Sequence, residues 1–222
     1  MLGRYPSLNG ASDLARTRIK VCGIRTHEAA TAASDAGADA VGFIFVRTSP
    51  RYIDPETAFE ILSVLPPMVS TVGVVMNMSI DAFSDLEESC PTTYSQLHGS
   101  EDEALTRQCG PGVIRAIRFD ADTIAAELQR WDAIEEVDAI LVDGSAGGEG
   151  QAFEWAKLED AAAEISKPIF LAGGLTVDNV GAAIRAVRPY GVDVSSGVEK
   201  ERGVKDLGLI AAFCEAVRRA DE

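Results

Sequence analysis

Residues 168–197 read PIFLAGGLTVDNVGAAIRAVRPYGVDVSSG, and this stretch contains a complete strand, helix and strand unit. An apolar run at 168–171 leads into a pair of glycines, which is typical of a buried strand followed by a turn. Apolar side chains then recur with the spacing of one helix face, at Val177, Val180, Ile184 and Val187. A second apolar run at 191–194 completes the unit. This order predicts two parallel strands joined by a crossover helix.

The same alternation extends along the chain. Amphipathic stretches lie between apolar runs, as in Ile80, Phe83 and Leu86, which share one helical face. The apolar, β-branched runs predict eight strands, at 19–22, 40–46, 70–76, 94–97, 112–117, 139–142, 168–171 and 191–194. Eight units average roughly 25 residues each, which is short but normal for a (β/α)8 barrel. We therefore predict a single (β/α)8 TIM barrel, and a doubly wound open sheet is the alternative.

Two helix starts support this interpretation. Asp54 precedes Pro55, and a carboxylate before a proline is typical of an N-cap followed by the first helical residue. Residues 100–103 read SEDE and match a capping box, with Ser100 as the cap and Glu103 as its partner. Residues 1–17, which include Gly, Pro, Ser and Asn, are predicted to be a flexible N-terminal arm before a barrel domain at 18–222.

Composition indicates a protein of the cell interior. The chain has 222 residues, of which 46% are hydrophobic, enough for the core of one domain. No apolar run reaches the roughly 18 residues that cross a bilayer, and the N-terminus lacks a secretory signal pattern. The cysteines lack the short spacings of zinc sites or redox pairs; they are Cys22, Cys90, Cys109 and Cys214. We expect a soluble cytoplasmic protein with free thiols and no metal site.

The charge balance is strongly acidic, with 35 Asp and Glu against 20 Lys and Arg, a formal net charge of −15. Such a charge repels nucleic acid phosphates and anionic lipids, so we expect neither as a partner. One interpretation is a protein from a high-salt organism, because molar salt shortens the Debye length to about 3 Å and screens self-repulsion. The alternative is an ordinary acidic enzyme.

The high-salt interpretation predicts that stability rises with ionic strength. Repulsion between like charges on one small domain favours the expanded chain, and added salt weakens that repulsion. We expect a higher melting temperature at about 2 M KCl than at about 0.1 M, with activity lost in dilute buffer and recovered in molar salt. Thermal melts at the two concentrations provide the measurement. An equal or lower melting temperature at the higher concentration would contradict a high-salt adaptation.

Candidate site residues lie just past the strand ends, because the loops after the strands carry the chemistry of a barrel. Glycine-rich turns follow the last three predicted strands, and their backbone N–H groups can bind a phosphate. These turns contain Gly147 and Gly148, then Gly173 and Gly174, then Ser195, Ser196 and Gly197. The sequence therefore predicts a small phosphorylated substrate.

Six motifs at strand ends carry a family resemblance. They are KVCGI at 20–24, GFIF at 42–45 with SPRYI at 49–53, QLHG at 96–99, LVD at 141–143, GGL at 173–175 and VDVSSGVE at 192–199. Together they resemble the phosphoribosylanthranilate isomerases of tryptophan biosynthesis, and the matches extend over 20–206. Each motif is weak by itself, whereas six in order are specific.

The resemblance implies an Amadori rearrangement without a cofactor. N-(5′-phosphoribosyl)anthranilate opens its ring with the help of an acid and then loses its C2′ proton to a base. By resemblance, Asp143 is the acid and Cys22 is the base. A thiol with a pKa near 8.5 is partly ionised at pH 7, so it can act without a metal. Arg51 is expected to bind the anthranilate carboxylate.

Each assignment has a structural alternative. For Cys22 it is packing, for Asp143 it is loop capping, and for Arg51 it is a solvated surface position. His98 is expected to be a packed, hydrogen-bonded residue rather than a base. Asp193 either holds the loops together or faces the substrate.

Two departures from the family pattern, and two other functions, are weighed against this interpretation. Glu149 occupies a place in the 147–150 turn where a small hydroxyl residue is common, and Arg202 replaces a proline. The related barrel of histidine biosynthesis carries an aspartate where this chain has Cys22. A non-catalytic phosphate-binding barrel would not need both Cys22 and Asp143. The oligomeric state is expected to be a monomer or a homodimer.

Overall fold

The chain forms a closed barrel of eight parallel strands in the computed structural model, which describes residues 16–144 and 155–222. The strands pair in chain order, and the last pairs with the first. They are β1 (Arg18–Cys22), β2 (Ala40–Ile44), β3 (Ser70–Val75), β4 (Tyr94–Leu97), β5 (Val113–Arg118), β6 (Val137–Asp143), β7 (Ile169–Ala172) and β8 (Gly191–Val194). This closure confirms the predicted (β/α)8 fold and excludes the open sheet.

Helices follow the strands around the barrel. They are α1 (His27–Asp35), α2 (Pro55–Leu62), α3 (Ile80–Ser89), α4 (Glu103–Gln108), α5 (Ile124–Asp132), α6 (Trp155–Ala162), α7 (Val180–Val187) and α8 (Leu207–Ala220). A 3₁₀ turn (Ser196–Val198) and a short antiparallel hairpin, β9 (Glu199–Glu201) with β10 (Val204–Lys205), separate β8 from α8. Within the described ranges, no helix has the length and apolar content needed to cross a membrane.

The predicted helix faces are buried against the barrel. Phe83 and Leu86 on α3 are buried, as are Val180, Ile184 and Val187 on α7. The strand predictions also agree, since every predicted strand end lies within two residues of the observed one. Periodicity located these elements well because each buries one apolar face in the same core.

One helix start was predicted correctly and the other was not. The Asp54 side chain accepts the Thr57 N–H, as predicted for an N-cap. The proposed capping box at 100–103 is wrong, because α4 begins after Asp102, whose carboxylate accepts the Leu105 N–H. The intervening Glu101 is instead buried in an ion pair with Arg115 of β5. That buried pair holds the chain in a loop until residue 102.

Alternate strand residues face two separate cores, as the period of two requires. Ile19 and Val21 pack in the core between barrel and helices. Lys20, by contrast, lies in the barrel interior, which is otherwise filled by mostly small and branched apolar residues. These interior residues are Ala40, Val72, Ile114, Ala116, Ala139, Leu141 and Ala172.

The start of the described chain is attached to the barrel. The Arg16 guanidinium donates to Asp39, and the Thr17 N–H and hydroxyl donate to Asp221. Residues 1–15 lie outside the described residues. The division into an arm at 1–17 and a barrel at 18–222 stays a prediction.

Candidate active site

A cavity of about 460 Å³ opens at the carboxyl ends of the strands. It brings together most of the residues that the sequence predicted, from β1, β6, β7 and β8 and the loop after β2. Those that line it are Cys22, Arg51, Asp143, Gly173, Gly174, Ser195 and Ser196, with His98 and Asp193. Gly147, Gly148 and Glu149 lie outside the described residues. A larger cavity of about 1030 Å³ lies at the opposite end of the barrel, where this fold does not place its chemistry.

Cys22 is the last residue of β1 and lies at the floor of the cavity, 4% exposed. Gly42 on the neighbouring strand makes room for it, since a Cβ there would lie 2.9 Å from the Cys22 sulfur. Burial raises the pKa of the thiol, while the positive charges of Lys20 and Lys205 oppose that rise. The cysteines at 22, 90, 109 and 214 are all free and buried, which confirms the prediction of free thiols.

Lys20 and Asp193 form a buried ion pair beside Cys22. The Lys20 Nζ lies 2.8 Å from Asp193 Oδ1, and both residues are under 10% exposed. Burial lowers the pKa of Lys20, but Asp193 and Cys22 more than compensate, so the net direction is upward. Of the two roles expected for Asp193, the pair favours structural support, although its side chain also reaches the cavity.

Asp143 stands at the end of β6 beside His98. The His98 Nε2 lies 3.4 Å from Asp143 Oδ2, and the His98 Nδ1 lies 2.8 Å from Gln96 Nε2. If the Gln96 amide donates to Nδ1, the neutral imidazole carries its proton on Nε2, facing the carboxylate. His98 is therefore hydrogen-bonded, as the sequence predicted, but its side chain lines the cavity and is 34% exposed rather than packed. The buried Gln96 Oε1 has no hydrogen-bond partner among the described residues and belongs to a side chain that lines the cavity.

Arg51 lies at the cavity wall but is held by a carboxylate of the same chain. Its Nε and Nη2 donate to Glu199 Oε1 and Oε2 over 2.6 and 2.9 Å. Burial raises the pKa of Glu199, but bonds from Arg51, Gly203 and Lys205 bring it down to about 2. Arg51 is thus not a solvated surface residue, and Glu199 already occupies two of its N–H donors. Its Nη1 carries two further N–H donors.

The turns after β7 and β8 lie against each other at the other side of the cavity. Gly173 and Gly174 have φ angles of +90° and +67°, a backbone conformation that favours glycine. A Cβ at Gly197 would lie 1.9 Å from the Leu175 carbonyl oxygen, so only glycine fits this contact. Ser195, Ser196 and Gly197 are thereby fixed next to the glycine pair.

A buried ion pair supports the loop that carries His98. The Arg115 guanidinium donates to the Leu97 and Gly99 carbonyl oxygens and to Glu101. Glu101 in turn accepts the N–H groups of Gly99 and Asn77. The loops after β3 and β4 therefore both depend on the Glu101 carboxylate, which pairs with the guanidinium of Arg115 on β5.

Sequence reasoning assigned no role to several residues that shape this site. Lys20, Gln96 and Glu199 occur within the quoted motifs, whereas Lys205 and Arg115 do not. A signal was present in Lys20, a lysine inside an apolar strand at an inward position, because a buried charge needs a partner. The partners themselves come from distant strands, so one sequence could not identify them.

Comparison with known proteins agrees with this geometry. The family model for N-(5′-phosphoribosyl)anthranilate (PRA) isomerase matches residues 19–216. The isomerase of Moorella thermoacetica is 47% identical over 209 residues, covering 92% of this chain and 91% of that protein. The isomerase of Hahella chejuensis is 42% identical over 212 residues, covering 93% and 97%.

Solved structures give the same result. The isomerase of Thermotoga maritima superposes with a TM-score of 0.82 at 36% identity, covering 91% of this chain and 99% of that one. The isomerase of Thermus thermophilus gives 0.81 at 32% identity, with the same coverage. With the family model matching most of the barrel, the chain belongs to the phosphoribosylanthranilate isomerase family.

Proposed function

We propose that this chain isomerises N-(5′-phosphoribosyl)anthranilate to 1-(2-carboxyphenylamino)-1-deoxyribulose 5-phosphate, a step of tryptophan biosynthesis, in the cytoplasm. The observation that carries the proposal is the meeting of Cys22 and Asp143 in one cavity, at the ends of β1 and β6. A solved relative at 35% identity is described as a complex with reduced 1-(o-carboxyphenylamino)-1-deoxyribulose 5-phosphate, which supports the same ligand class here. Buried, unpaired cysteines suit a reducing compartment.

The proposed chemistry needs the protein to donate one proton and to accept another. Asp143 gives a proton to the ring oxygen, and the C1′–O bond breaks as the anilino nitrogen forms a protonated imine at C1′. The Cys22 thiolate then removes the C2′ proton, which produces the enolamine. The Cys22 thiol then returns its proton at C1′, and the C2′ hydroxyl gives its proton to the Asp143 carboxylate, which yields the ketone and restores both residues. The net change moves one hydrogen from C2′ to C1′ and one from the C2′ hydroxyl to the former ring oxygen, so the reaction balances without a redox cofactor.

His98 and Gln96 orient the acid in this scheme. The His98 Nε2 lies 3.4 Å from Asp143 Oδ2, a distance that shortens to a hydrogen bond with a small side-chain movement. Gln96 fixes the imidazole from its other side. The arrangement holds the Asp143 carboxyl at the cavity, where the substrate would bind.

The phosphate is proposed to bind at the glycine turns. Gly173 and Gly174 line the cavity with positive φ angles, and the turn at Ser195, Ser196 and Gly197 packs beside them through the contact of Gly197 with Leu175. Backbone N–H groups and serine hydroxyls in such a concavity suit an anion. The Gly147 and Gly148 turn is included in this proposal from sequence alone. Cys22 lines the same cavity as the turns after β7 and β8, so one substrate could contact both.

Replacement of Arg51 by alanine is expected to raise KM for phosphoribosylanthranilate at least tenfold and to lower turnover. A charged hydrogen bond to a carboxylate contributes about 1.5–3 kcal/mol, and its loss also misplaces the ring. Steady-state kinetics provide the measurement, with Arg51→Lys as the control that keeps the charge and loses the planar fork. The substitution also leaves Glu199 without its main partner, so thermal melts must accompany the kinetics. Unchanged KM together with unchanged turnover would remove Arg51 from substrate binding.

The decisive test of the function is a turnover assay on the purified chain. Loss of the fluorescence of phosphoribosylanthranilate reports its conversion, and the two-phosphate substrate of the related histidine barrel serves as the comparison. We expect rapid conversion of the first and none of the second. Conversion of only the second would assign the chain to the related reaction, and binding without conversion of either would make it a phosphate-binding module.

A further inference from the structure

A lysine lies in the barrel interior next to the Cys22 thiol. Lys20 and Cys22 are two residues apart on β1, so both side chains leave the strand on its inner face. Lys20 is 1% exposed, and its Nζ lies 2.8 Å from Asp193 Oδ1 on the adjacent β8. An isolated buried charge is costly, so the lysine depends on this carboxylate. The pair introduces a cation into an otherwise apolar interior, directly beside the cavity floor.

Charged groups from every element around Cys22 contribute to its environment. Lys20 comes from its own strand and Asp193 from β8, while Arg51 belongs to the loop after β2. Lys205 and Glu199 come from the hairpin that covers this side of the barrel. Arg51 and Lys205 both bond to Glu199, which offsets one of their two positive charges, as Asp193 offsets that of Lys20. Lys20 is the cation on the inner side, where water screens least.

We infer that Lys20 is a positioning residue for the rearrangement. It supplies the positive charge that faces the Cys22 sulfur once Cys22 has lost its proton. The inference rests on the proposed role of Cys22 as the base. It adds a function to a residue whose ion pair with Asp193 otherwise looks purely structural.

The energetic need for such a cation follows from the position of the thiol. Burial raises the pKa of Cys22, which reduces the thiolate fraction at neutral pH, and a protonated thiol cannot accept the C2′ proton. Lys20 acts in the opposite direction and more strongly than Lys205. An opposite charge within about 4–6 Å commonly shifts a pKa by 1–3 units, so removing it should have a measurable effect.

The experiment measures the rate at which iodoacetamide alkylates Cys22 as a function of pH. Mass spectrometry of the peptide that carries Cys22 separates it from the other cysteines. For Lys20→Met we expect the midpoint of the profile to rise by at least about one pH unit, an approximately tenfold slower alkylation at pH 7, with an unchanged plateau at high pH. Lys200→Met, which removes an exposed lysine, is the charge-matched control and should leave the midpoint where it is.

A second variant protects the test against misfolding. Lys20→Met leaves Asp193 buried without its partner, whereas Lys20→Met with Asp193→Asn removes both charges and no buried ion remains. Because Lys20 affects Cys22 more than Asp193 does, the double variant should have a midpoint between those of wild type and Lys20→Met. A midpoint equal to that of wild type in the double variant, or a lower plateau with no shift of the midpoint, would overturn the inference.

The alkylation profile does not depend on turnover, so it separates this inference from the proposed function. If Cys22→Ala keeps its turnover, the role of Cys22 as base fails, whatever the profiles show. If Cys22→Ala is inactive and the Lys20→Met profile coincides with that of wild type, the base role stands and the role of Lys20 fails.

Discussion

Cys22→Ala is expected to lower turnover by about 10²-fold to 10⁴-fold, the usual effect of losing a positioned base. The alanine cannot take the C2′ proton, whereas Arg51 and the glycine turns, which we propose bind the substrate, remain in place. KM should therefore change little while kcat falls. Steady-state fluorescence assays with phosphoribosylanthranilate measure both kcat and KM.

A matched control distinguishes lost chemistry from lost packing. Cys109 is also a free, buried cysteine, but it lies at the end of α4, away from the cavity. Cys109→Ala removes the same sulfur atom and should keep turnover near that of wild type. If Cys22→Ala retained more than about a tenth of wild-type turnover, well above the loss expected for a base, Cys22 would have no place in the mechanism.

Asp143→Asn is expected to be nearly inactive, with a loss in the same range of about 10²-fold to 10⁴-fold. The amide keeps the shape of the carboxyl group and can still contact His98, but it cannot deliver a proton to the ring oxygen. Asp138→Asn is the control, since Asp138 is an exposed residue of the same strand and the substitution changes the charge equally. Near-normal turnover of Asp143→Asn would transfer the acid role to Asp193 or to water.

The fold could be predicted almost completely from the sequence because its signals are local. Strand and helix positions follow from apolar periodicity, and strand ends agree with the observed ones to within two residues. The one wrong helix start shows where a prediction from neighbouring residues fails. The letters SEDE at 100–103 satisfy the capping-box pattern, but Glu101 is drawn into the interior by Arg115, a residue 14 positions away. Tertiary pairing of a buried charge outweighed a local capping preference.

The sequence predicted residues that line one cavity, but it did not predict the residues that hold them there. Cys22, Arg51, Asp143 and the glycine turns follow from strand ends and motifs, and all of the described ones except Gly197 line the cavity. The sequence did not predict that Arg51 forms a bidentate ion pair with Glu199, because the two residues lie far apart in the chain. The pairing of Lys20 with Asp193 spans 173 positions, so its existence depends on barrel closure.

The ion pair of Arg115 and Glu101 limits how this barrel can be engineered. Loops of (β/α)8 barrels are often treated as interchangeable parts that can be transplanted one at a time onto a fixed scaffold. Here the loop after β4 supplies the Glu101 carboxylate, and β5 supplies the Arg115 guanidinium. The loop after β3 is bound to the same carboxylate through the N–H group of Asn77. Replacing any one of these segments alone would leave a buried charge or a backbone N–H group without its hydrogen-bond partner. On this side of the barrel the unit of exchange is three segments together.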